Sequence, residues 1–285
     1  MLLEKGWRGI TPVFLVLVLF LVFPGCARRG SGGAGLQGQV TLSGSTALLP
    51  LAQQAKETFE DKNPGVTVNV SAGGSFTGLN QVASGSVDIG NSDVAAEGAP
   101  GFKDKGLIDH QIAVAPFILV VNPGVRVDNL TREQAEGIFT GKIANWKDVG
   151  GQDQPISVIH RPPSSGSRAV IKELVLGGKE FTNQAATQDS NGALRAALAS
   201  TPGSMGYLDA AYMDASVKAL SYNGVAYKPE NVYNGTYAIY AFERMYTKGQ
   251  PQGAVKAFLE FILSSEFQEK YVEELKFLPV TKVKK

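Results

Sequence analysis

Three short turns rich in serine and glycine each lie directly before a predicted helix, and their residue types suit the binding of an anion. The turns cover residues 43–46, 73–77 and 164–167. A helix N-terminus offers unpaired N–H groups and a partial positive charge, hydroxyl groups add donors, and glycine allows a ligand to approach the backbone. A single turn of this kind is usually an ordinary helix cap, but three of them predict an anion site assembled from several segments.

Two charged residues lie near these turns. Arg161 comes just before the third turn, and a fixed guanidinium suits bidentate recognition of an oxyanion. Asp93 follows the third predicted strand, where a carboxylate is compatible with a bound anion only if that anion carries a proton to donate. Each residue alone also has an ordinary interpretation, Arg161 as a surface residue at a strand end and Asp93 as a solvated turn residue.

The composition argues against several other functions. The 285 residues include 27 Lys and Arg and 26 Asp and Glu, and this net charge of +1 argues against a nucleic-acid-binding protein. Cys26 is the only cysteine, and His110 and His160 are the only histidines, which excludes an internal disulfide and the usual cysteine- or histidine-based metal sites. The sequence has no activated nucleophile and no phosphate-binding loop motif, so we expect neither an enzyme nor a cofactor or metal.

The N-terminal 25 residues are typical of an export signal. A basic start is followed by the apolar run 13–23, which is too short for the ~20 residues that span a bilayer but suits a signal peptide. The run ends in Pro24-Gly25-Cys26, which resembles the processing site of bacterial lipoproteins, although Phe23 stands where such sites usually carry leucine. We therefore expect cleavage before Cys26 and lipidation of this residue. The alternative is a plain secretory signal with an incidental cysteine.

A flexible tether follows the expected anchor. Residues 26–37 are rich in glycine and serine, a composition typical of a flexible linker. Cleavage removes two of the 27 basic residues and one of the 26 acidic residues, which leaves 25 of each. The mature chain would be formally neutral, so any affinity for an anion must come from a local site.

Strand and helix patterns alternate from residue 38 onward. Apolar residues predict strands at 40–42, 66–70 and 87–90, and apolar residues at helical spacing predict helices between them. This β-α-β-α-β order is typical of a parallel sheet flanked by helices. The same succession of strand, serine-glycine turn and helix recurs at residues 156–175, which places a second copy of the pattern in the second half of the chain.

Two long apolar segments, residues 112–121 and 237–246, flank that second half and predict two crossings between two lobes. The predicted fold is therefore α/β and two-lobed, with a mostly parallel sheet flanked by helices in each lobe and two hinge strands between them. The predicted bounds are 38–113 plus 247–285 for the first lobe, 123–235 for the second lobe, and 114–122 and 236–246 for the hinge strands.

Six segments in order resemble the phosphate-binding proteins of bacterial phosphate ABC importers, which are two-lobed periplasmic binding proteins of the type II fold. The segments are GSTALLPLA at 44–52, GGSFTGLNQVASGSVDIGNSD at 73–93, LTREQAEGIFTGKIANWKDVGG at 130–151, HRPPSSGSR at 160–168, TPGSMGYLDAAY at 201–212 and YTKGQPQGAVKAFLEFILSSEFQ at 246–268. One such segment would be modest evidence, whereas six in order, over most of residues 38–281, are specific.

The resemblance implies a set of phosphate-binding residues from both lobes. Matched by position, they are Ser45, Thr46, Ser75, Asp93, Arg161, Ser165, Gly166 and Ser167. In this set Asp93 corresponds to the carboxylate that accepts the proton of the phosphate. Ser167 stands in place of a threonine and keeps the hydroxyl. Pro163 stands in place of an acidic residue that usually accompanies the arginine, so the sequence leaves open what orients Arg161.

The resemblance also implies a function for the whole chain. The expected protein captures inorganic phosphate in the interlobe cleft, and delivers it to the permease subunits of a phosphate ABC transporter. It would act as a monomer, held by its lipid anchor at the outer face of the cytoplasmic membrane, in the periplasm or at the cell surface. The alternatives are a carrier of molybdate, tungstate or sulfate, against which Asp93 argues, a secreted phosphatase, and a role in phosphate sensing.

Overall fold

The computed structural model describes residues 35–99, 101–102 and 105–283, so the predicted signal peptide and Cys26 lie outside the described residues. The first elements are β1 (Gly38–Gly44), α1 (Leu49–Lys62), β2 (Val66–Ala72), α2 (Ser75–Ser84), β3 (Ile89–Ser92), β4 (Leu107–Val121), β5 (Asn129–Leu130), α3 (Arg132–Phe139), β6 (Ser157–His160) and α4 (Gly166–Leu174). Then follow β7 (Ala186–Thr187), α5 (Asn191–Ser200), β8 (Ser204–Asp209), β9 (Lys218–Ala219), β10 (Ser221–Tyr222), α6 (Pro229–Tyr233), β11 (Tyr240–Lys248), α7 (Gly253–Ile262) and α8 (Ser265–Phe267). Short 3₁₀ helices cover Ala96–Gly98, Trp146–Val149, Ala210–Tyr212 and Val280–Lys282, and a π-helical turn covers Gln268–Val272.

Nine strands of the described chain form one mixed sheet in the order β2-β1-β3-β11-β4-β8-β6-β7, with β9 also paired to β4. β1 pairs in parallel with β2 and β3, and β6 pairs in parallel with β7 and β8. β4 and β11 run antiparallel to each other and to their outer neighbours β8 and β3. We call the part around β1–β3 the first lobe and the part around β6–β8 the second lobe. The predicted α/β two-lobed fold is confirmed, and the two crossing strands make the sheet mixed.

The two crossing strands differ in their bounds from the predicted apolar segments. β4 begins at Leu107, five residues before the apolar run, because residues 107–111 pair with the end of β11 although they are only partly buried. Residues 107–111 lie outside the apolar run, so the run alone does not predict that they belong to the strand. Glu243 pairs with Ala113 and Arg244 pairs with Gln111, so Ile112 lies in a bulge between them.

Local signals explain where the helices beside the lobes begin and end. α2 ends at Gly85, whose φ of 78° is the left-handed conformation that glycine adopts readily. α3 begins with a capping box, whose Thr131 and Gln134 spacing is visible in the sequence: the Gln134 N–H donates to Thr131 Oγ1 at 3.2 Å, and the Thr131 N–H donates to Gln134 Oε1 at 2.9 Å. These caps satisfy backbone groups that a helix end otherwise leaves unpaired.

The apolar core follows the sheet through both lobes. One large cluster includes Val40, Leu51 and Phe258 on the first-lobe side and Phe139 and Trp146 on the second-lobe side. Burial of such side chains contributes about 1.5–3 kcal/mol each relative to full exposure, which keeps the strand ends that carry the turns in fixed positions. Among the helices of the described ranges, none combines the length and hydropathy needed to cross a membrane.

Candidate anion site between the lobes

The polar turns predicted from the sequence meet at the ends of β1 and β3 and at the starts of α2 and α4. All seven polar side chains of the predicted set are buried, none with more than 4% of its surface exposed, and Gly166 is buried with them. Polar groups this deep in a protein normally require partners. Buried residues of this set are Ser45, Thr46, Ser75, Asp93, Arg161, Ser165, Gly166 and Ser167.

Three serines of the cluster use their hydroxyl oxygens as acceptors for backbone N–H groups. Ser45 Oγ accepts from Ala47 N at 3.0 Å and Leu48 N at 3.3 Å. Ser75 Oγ accepts from the Asp93 N–H at 3.0 Å. Ser165 Oγ accepts from the Arg168 N–H at 3.2 Å as the N-cap of α4.

This arrangement leaves the hydroxyl hydrogens of the three serines available. A hydroxyl has one hydrogen to donate and two lone pairs, and the described residues provide no acceptor for these hydrogens. The hydroxyl hydrogen of Thr46 is available for the same reason, because Thr46 Oγ1 accepts from Asn191 Nδ2 at 3.3 Å. The cluster therefore presents several O–H donors at once, which is the arrangement that an anion requires.

Arg161 is held by two backbone carbonyl groups instead of a carboxylate. Its Nε donates to the carbonyl of Gln188 at 2.8 Å, and its Nη2 donates to the carbonyl of Asp189 at 2.7 Å. Its Nη1 is buried with no hydrogen-bond partner in the described chain. Burial lowers the pKa of Arg161, but a guanidinium remains charged in proteins. These two carbonyls orient Arg161 where the resemblance leads us to expect an acidic residue at position 163.

Asp93 supplies the acceptor of the cluster. Its Oδ2 accepts a hydrogen bond from Ser167 Oγ at 2.8 Å, which joins the first lobe to the second. Its Oδ1 is buried and receives no hydrogen bond from the described residues. A buried carboxylate oxygen without a donor is costly, so the site favours a ligand that can donate a hydrogen to it.

Other contacts join the lobes around the cluster. The Phe76 N–H donates to the carbonyl of Ser164 at 3.1 Å, and Tyr212 Oη donates to the carbonyl of Thr46 at 2.6 Å. A Cβ built on Gly74 would lie 2.5 Å from the Ser164 carbonyl oxygen, so only glycine allows this approach. The described lobes are thus closed on each other at the cluster.

The sequence reasoning missed three residues that lie against the cluster. Asn191 is fully buried and contacts Thr46. It follows Ser190, which caps α5 by accepting from Ala193 N at 3.0 Å. This fourth serine-led helix start is a signal from which Asn191 could have been found. Tyr212 lies within a segment that resembles the family, but nothing in the sequence marks its hydroxyl. Glu243 lies in β11 and is fully buried, and no local pattern distinguishes it.

Two tyrosines near the cluster act as neutral hydrogen-bonding groups. Tyr207 Oη accepts from the Arg161 N–H at 3.2 Å, and Tyr212 Oη donates to Thr46. Burial raises the pKa of both hydroxyls well above its usual value. Both groups therefore keep their hydrogen at any physiological pH, and neither adds negative charge to the anion site.

The fold and the interlobe cluster together define a two-lobed binding protein of the periplasmic type, with a buried site rich in hydrogen-bond donors. In agreement, the family model described as PBP superfamily domain matches residues 29–266. The phosphate-binding protein PstS of Bacillus subtilis (strain 168) is 44% identical over 248 residues, which cover 87% of this chain and 82% of the relative. The chain belongs to the PstS family of phosphate-binding proteins.

Solved structures agree with this placement. A protein from Clostridium perfringens, assigned as a phosphate ABC transporter substrate-binding protein and solved with bound phosphate, superposes with a TM-score of 0.81 at 31% identity, and the match covers 85% of this chain and 100% of that one. An ABC-type phosphate transport receptor from Vibrio cholerae superposes with a TM-score of 0.70 at 27% identity, over 84% of this chain and 99% of that one.

Proposed function

We propose that this protein binds inorganic phosphate at the interlobe cluster and delivers it to a phosphate ABC transporter, acting as a monomer. Ser45, Thr46, Ser75, Arg161 and the Ser165-Gly166-Ser167 turn hold the phosphate oxygens, and Asp93 accepts the hydrogen of the phosphate. Support comes from the names of the relatives and from the burial of all these residues at one place.

One observation carries the proposal more than any other: the cluster combines unused donors with an unused acceptor oxygen on Asp93. The hydroxyls of Ser45, Ser75 and Ser165 accept from backbone N–H groups, and within the described residues neither their hydrogens nor Arg161 Nη1 have a partner. Asp93 Oδ1 is the acceptor. Phosphate at neutral pH carries several oxygens that accept and at least one P–OH that donates, and it therefore matches both kinds of group.

The rival oxyanions match the donors but not the acceptor. Sulfate and molybdate carry no hydrogen near neutral pH, so the Asp93 carboxylate would face their oxygens as a buried like charge. Such a repulsive element is a common source of specificity. A phosphatase would need an activated nucleophile or a metal, and the curated relatives that support the family are binding proteins.

The experiment that tests the function is calorimetric titration of ligand-stripped protein. Unfolding and refolding before the titration removes phosphate carried through purification. We expect tight binding of phosphate and arsenate and weak binding of sulfate and molybdate. Binding of sulfate or molybdate with the affinity of phosphate would overturn the assignment, and hydrolysis of a chromogenic phosphate ester would support the phosphatase instead.

The proposed location is the outer face of the cytoplasmic membrane, through a lipid on Cys26. The proposal rests on the sequence around Cys26, and a single acyl chain anchors weakly, so we expect more than one chain on this residue. The variant Cys26→Ser should move the protein to the soluble fraction and leave phosphate affinity unchanged, because the tether separates the anchor from the lobes. A wild-type protein that is freely soluble and carries no lipid mass would contradict the anchor.

A further inference from the structure

Glu243 is a fully buried carboxyl group beside the site, and the phosphate-binding scheme gives it no role. It lies in the crossing strand β11, next to the bulge in β4, and its residue exposes 0% of its surface. Neither carboxylate oxygen receives a hydrogen bond from an N–H or O–H group of the described residues. An ionised carboxylate in this position would strongly destabilise the folded protein, so the environment favours the protonated, neutral form of Glu243.

The pairing of β11 with β3 brings Glu243 next to Asp93. The antiparallel ladder of these two strands ends at the pair Arg244 and Ser92, and Glu243 and Asp93 are the residues that adjoin this pair. The two side chains are close enough for a hydrogen bond between them. Two carboxyl groups in such a place do not both ionise readily, and one proton is commonly shared between them.

The charged and titratable groups around Glu243 favour the same conclusion. Burial raises the pKa of Glu243 well above its usual range, and the charges of Asp93 and Asp209 and a hydrogen bond with the Asp93 side chain raise it further. The charge of Arg244, on the same strand, lowers the pKa of Glu243, but the ion pair of Arg244 is with Asp109.

The remaining neighbour is Asp209, at the end of β8. Asp209 Oδ1 accepts from the Ala211 N–H at 2.7 Å, and its Oδ2 is buried and has no donor in the part of the chain that the structure describes. Burial, followed by the charge of Asp93, raises the pKa of Asp209 well above its usual range. In the described part of the chain, these carboxyl groups are not arranged as a set that could hold a metal ion.

We propose that Glu243 is protonated and donates its O–H to Asp93, and that it is thereby a positioning residue for phosphate recognition. Asp93 then accepts hydrogen bonds from both Glu243 and Ser167. Its remaining lone pairs face the ligand and accept the P–OH. The inference rests on the proposed function, because it assigns to Asp93 the task of accepting the hydrogen of phosphate.

The substitution Glu243→Gln keeps a hydrogen-bond donor at this position and removes the titratable group, so the two properties can be tested separately. Glutamine keeps the volume and can donate an N–H to Asp93, but it cannot lose a proton. We expect it to bind phosphate within about threefold of wild type at pH 7. Wild type should lose affinity at alkaline pH as Glu243 ionises, and Glu243→Gln should not show this loss. Glu243→Leu removes the donor and should weaken phosphate at least tenfold. Glu57→Gln, at an exposed position on α1, is the matched control and should change nothing.

Infrared difference spectroscopy tests the protonation independently of the ligand. The spectrum of wild type minus that of Glu243→Gln should show the C=O stretching band of a protonated carboxylic acid at pH 7, both with and without phosphate. The same band should be present in the spectrum of the Asp209→Asn variant. No such band in the difference, or a Glu243→Gln variant with the same alkaline loss of affinity as wild type, would overturn the proposal. Failure of wild type to bind phosphate would instead overturn the proposed function, while the ligand-free band would still decide the state of Glu243.

Discussion

Gly166 and Ser75 face each other across the interlobe contact so closely that a Cβ on Gly166 would lie 2.1 Å from Ser75 Oγ. Gly166 is the first residue of α4, and Ser75 is the first residue of α2. The two helix N-termini therefore meet at one point, one from each lobe. Their partial positive charges add there, which favours the proposed position of the anion between the lobes.

This contact predicts a variant that folds but does not close. Gly166 does not require a positive φ, and alanine is favoured over glycine in a helix, so Gly166→Ala should keep each lobe folded. The added methyl group should hold the lobes apart and weaken phosphate at least a hundredfold, measured by calorimetry. Gly192→Ala is the matched control, because its Cβ meets nothing nearer than 3.9 Å. Wild-type affinity in Gly166→Ala would show that the lobes need not close this far.

Removal of the Arg161 side chain should weaken phosphate strongly. Losing a buried charged partner typically costs about 2–5 kcal/mol, and ~1.4 kcal/mol is one factor of ten, so Arg161→Ala should lose at least tenfold in affinity. Arg161→Lys should also lose affinity, because an ammonium cannot reproduce the fork that the carbonyls of Gln188 and Asp189 hold. Arg126→Ala, at an exposed position, serves as the control. Near wild-type titration curves for Arg161→Ala would place the anion elsewhere.

The substitution Asp93→Asn should narrow the preference for phosphate over sulfate. The amide keeps an acceptor oxygen for Ser167 or for P–OH, but it also offers an N–H and removes the repulsion that sulfate meets. Phosphate should be weakened by about 1.5–3 kcal/mol or less, while sulfate should bind more tightly than it does to wild type. Competition titrations of the two anions measure the ratio, with Asp61→Asn on the exposed side of α1 as control. An unchanged ratio would mean that Asp93 does not select the ligand.

The hydroxyl of Tyr212 should contribute to closure without contacting phosphate. Its hydrogen bond to the Thr46 carbonyl joins the lobes, and a neutral hydrogen bond contributes about 0.5–1.5 kcal/mol. Tyr212→Phe should therefore weaken phosphate about three- to tenfold and increase the population of open molecules in small-angle scattering. Tyr233→Phe removes a hydroxyl bonded to Glu273 and should do neither. An unaltered scattering profile for Tyr212→Phe would argue against this role.

The stability of the protein should respond to pH through Asp209. Burial raises its pKa, so the stabilisation from its protonated form is fully present below about pH 3.9, the usual Asp value, and is lost as the pH rises toward the folded pKa. Asp209→Asn cannot titrate and keeps an acceptor for the Ala211 N–H. The free energy of unfolding of Asp209→Asn relative to wild type should thus increase with pH, by up to about 1.4 kcal/mol per pH unit. Denaturant titrations of ligand-free wild type and Asp209→Asn over this pH range measure the difference in their free energies of unfolding. A difference that does not change with pH would refute the prediction.

Much of the fold could be predicted because it depends on local patterns. The β-α-β-α-β order, the capping box at Thr131 and the strand nature of His160 follow from alternation and spacing. The serine-led turns could be found for the same reason, since a helix N-terminus has a local signature. Half-buried residues 107–111 of β4 escaped prediction because pairing, not apolar content, makes them a strand.

The groups that orient the site residues could not be predicted from the sequence. Arg161 is oriented by the carbonyls of residues 188 and 189, and every residue has a carbonyl, so no residue type marks them. Glu243 becomes a neighbour of Asp93 only through the register of β11 on β3, 150 residues apart along the chain. Register is a property of the assembled sheet, and a single sequence does not display it.

The place of β11 between β3 and β4 also sets the order in which the molecule can be completed. The first three strands are synthesised well before Tyr240–Lys248, their later neighbour in the sheet. Until residues 240–248 have been added, β3 and β4 present open edges that can pair with other chains. A chain interrupted before residue 240 would therefore be prone to aggregation.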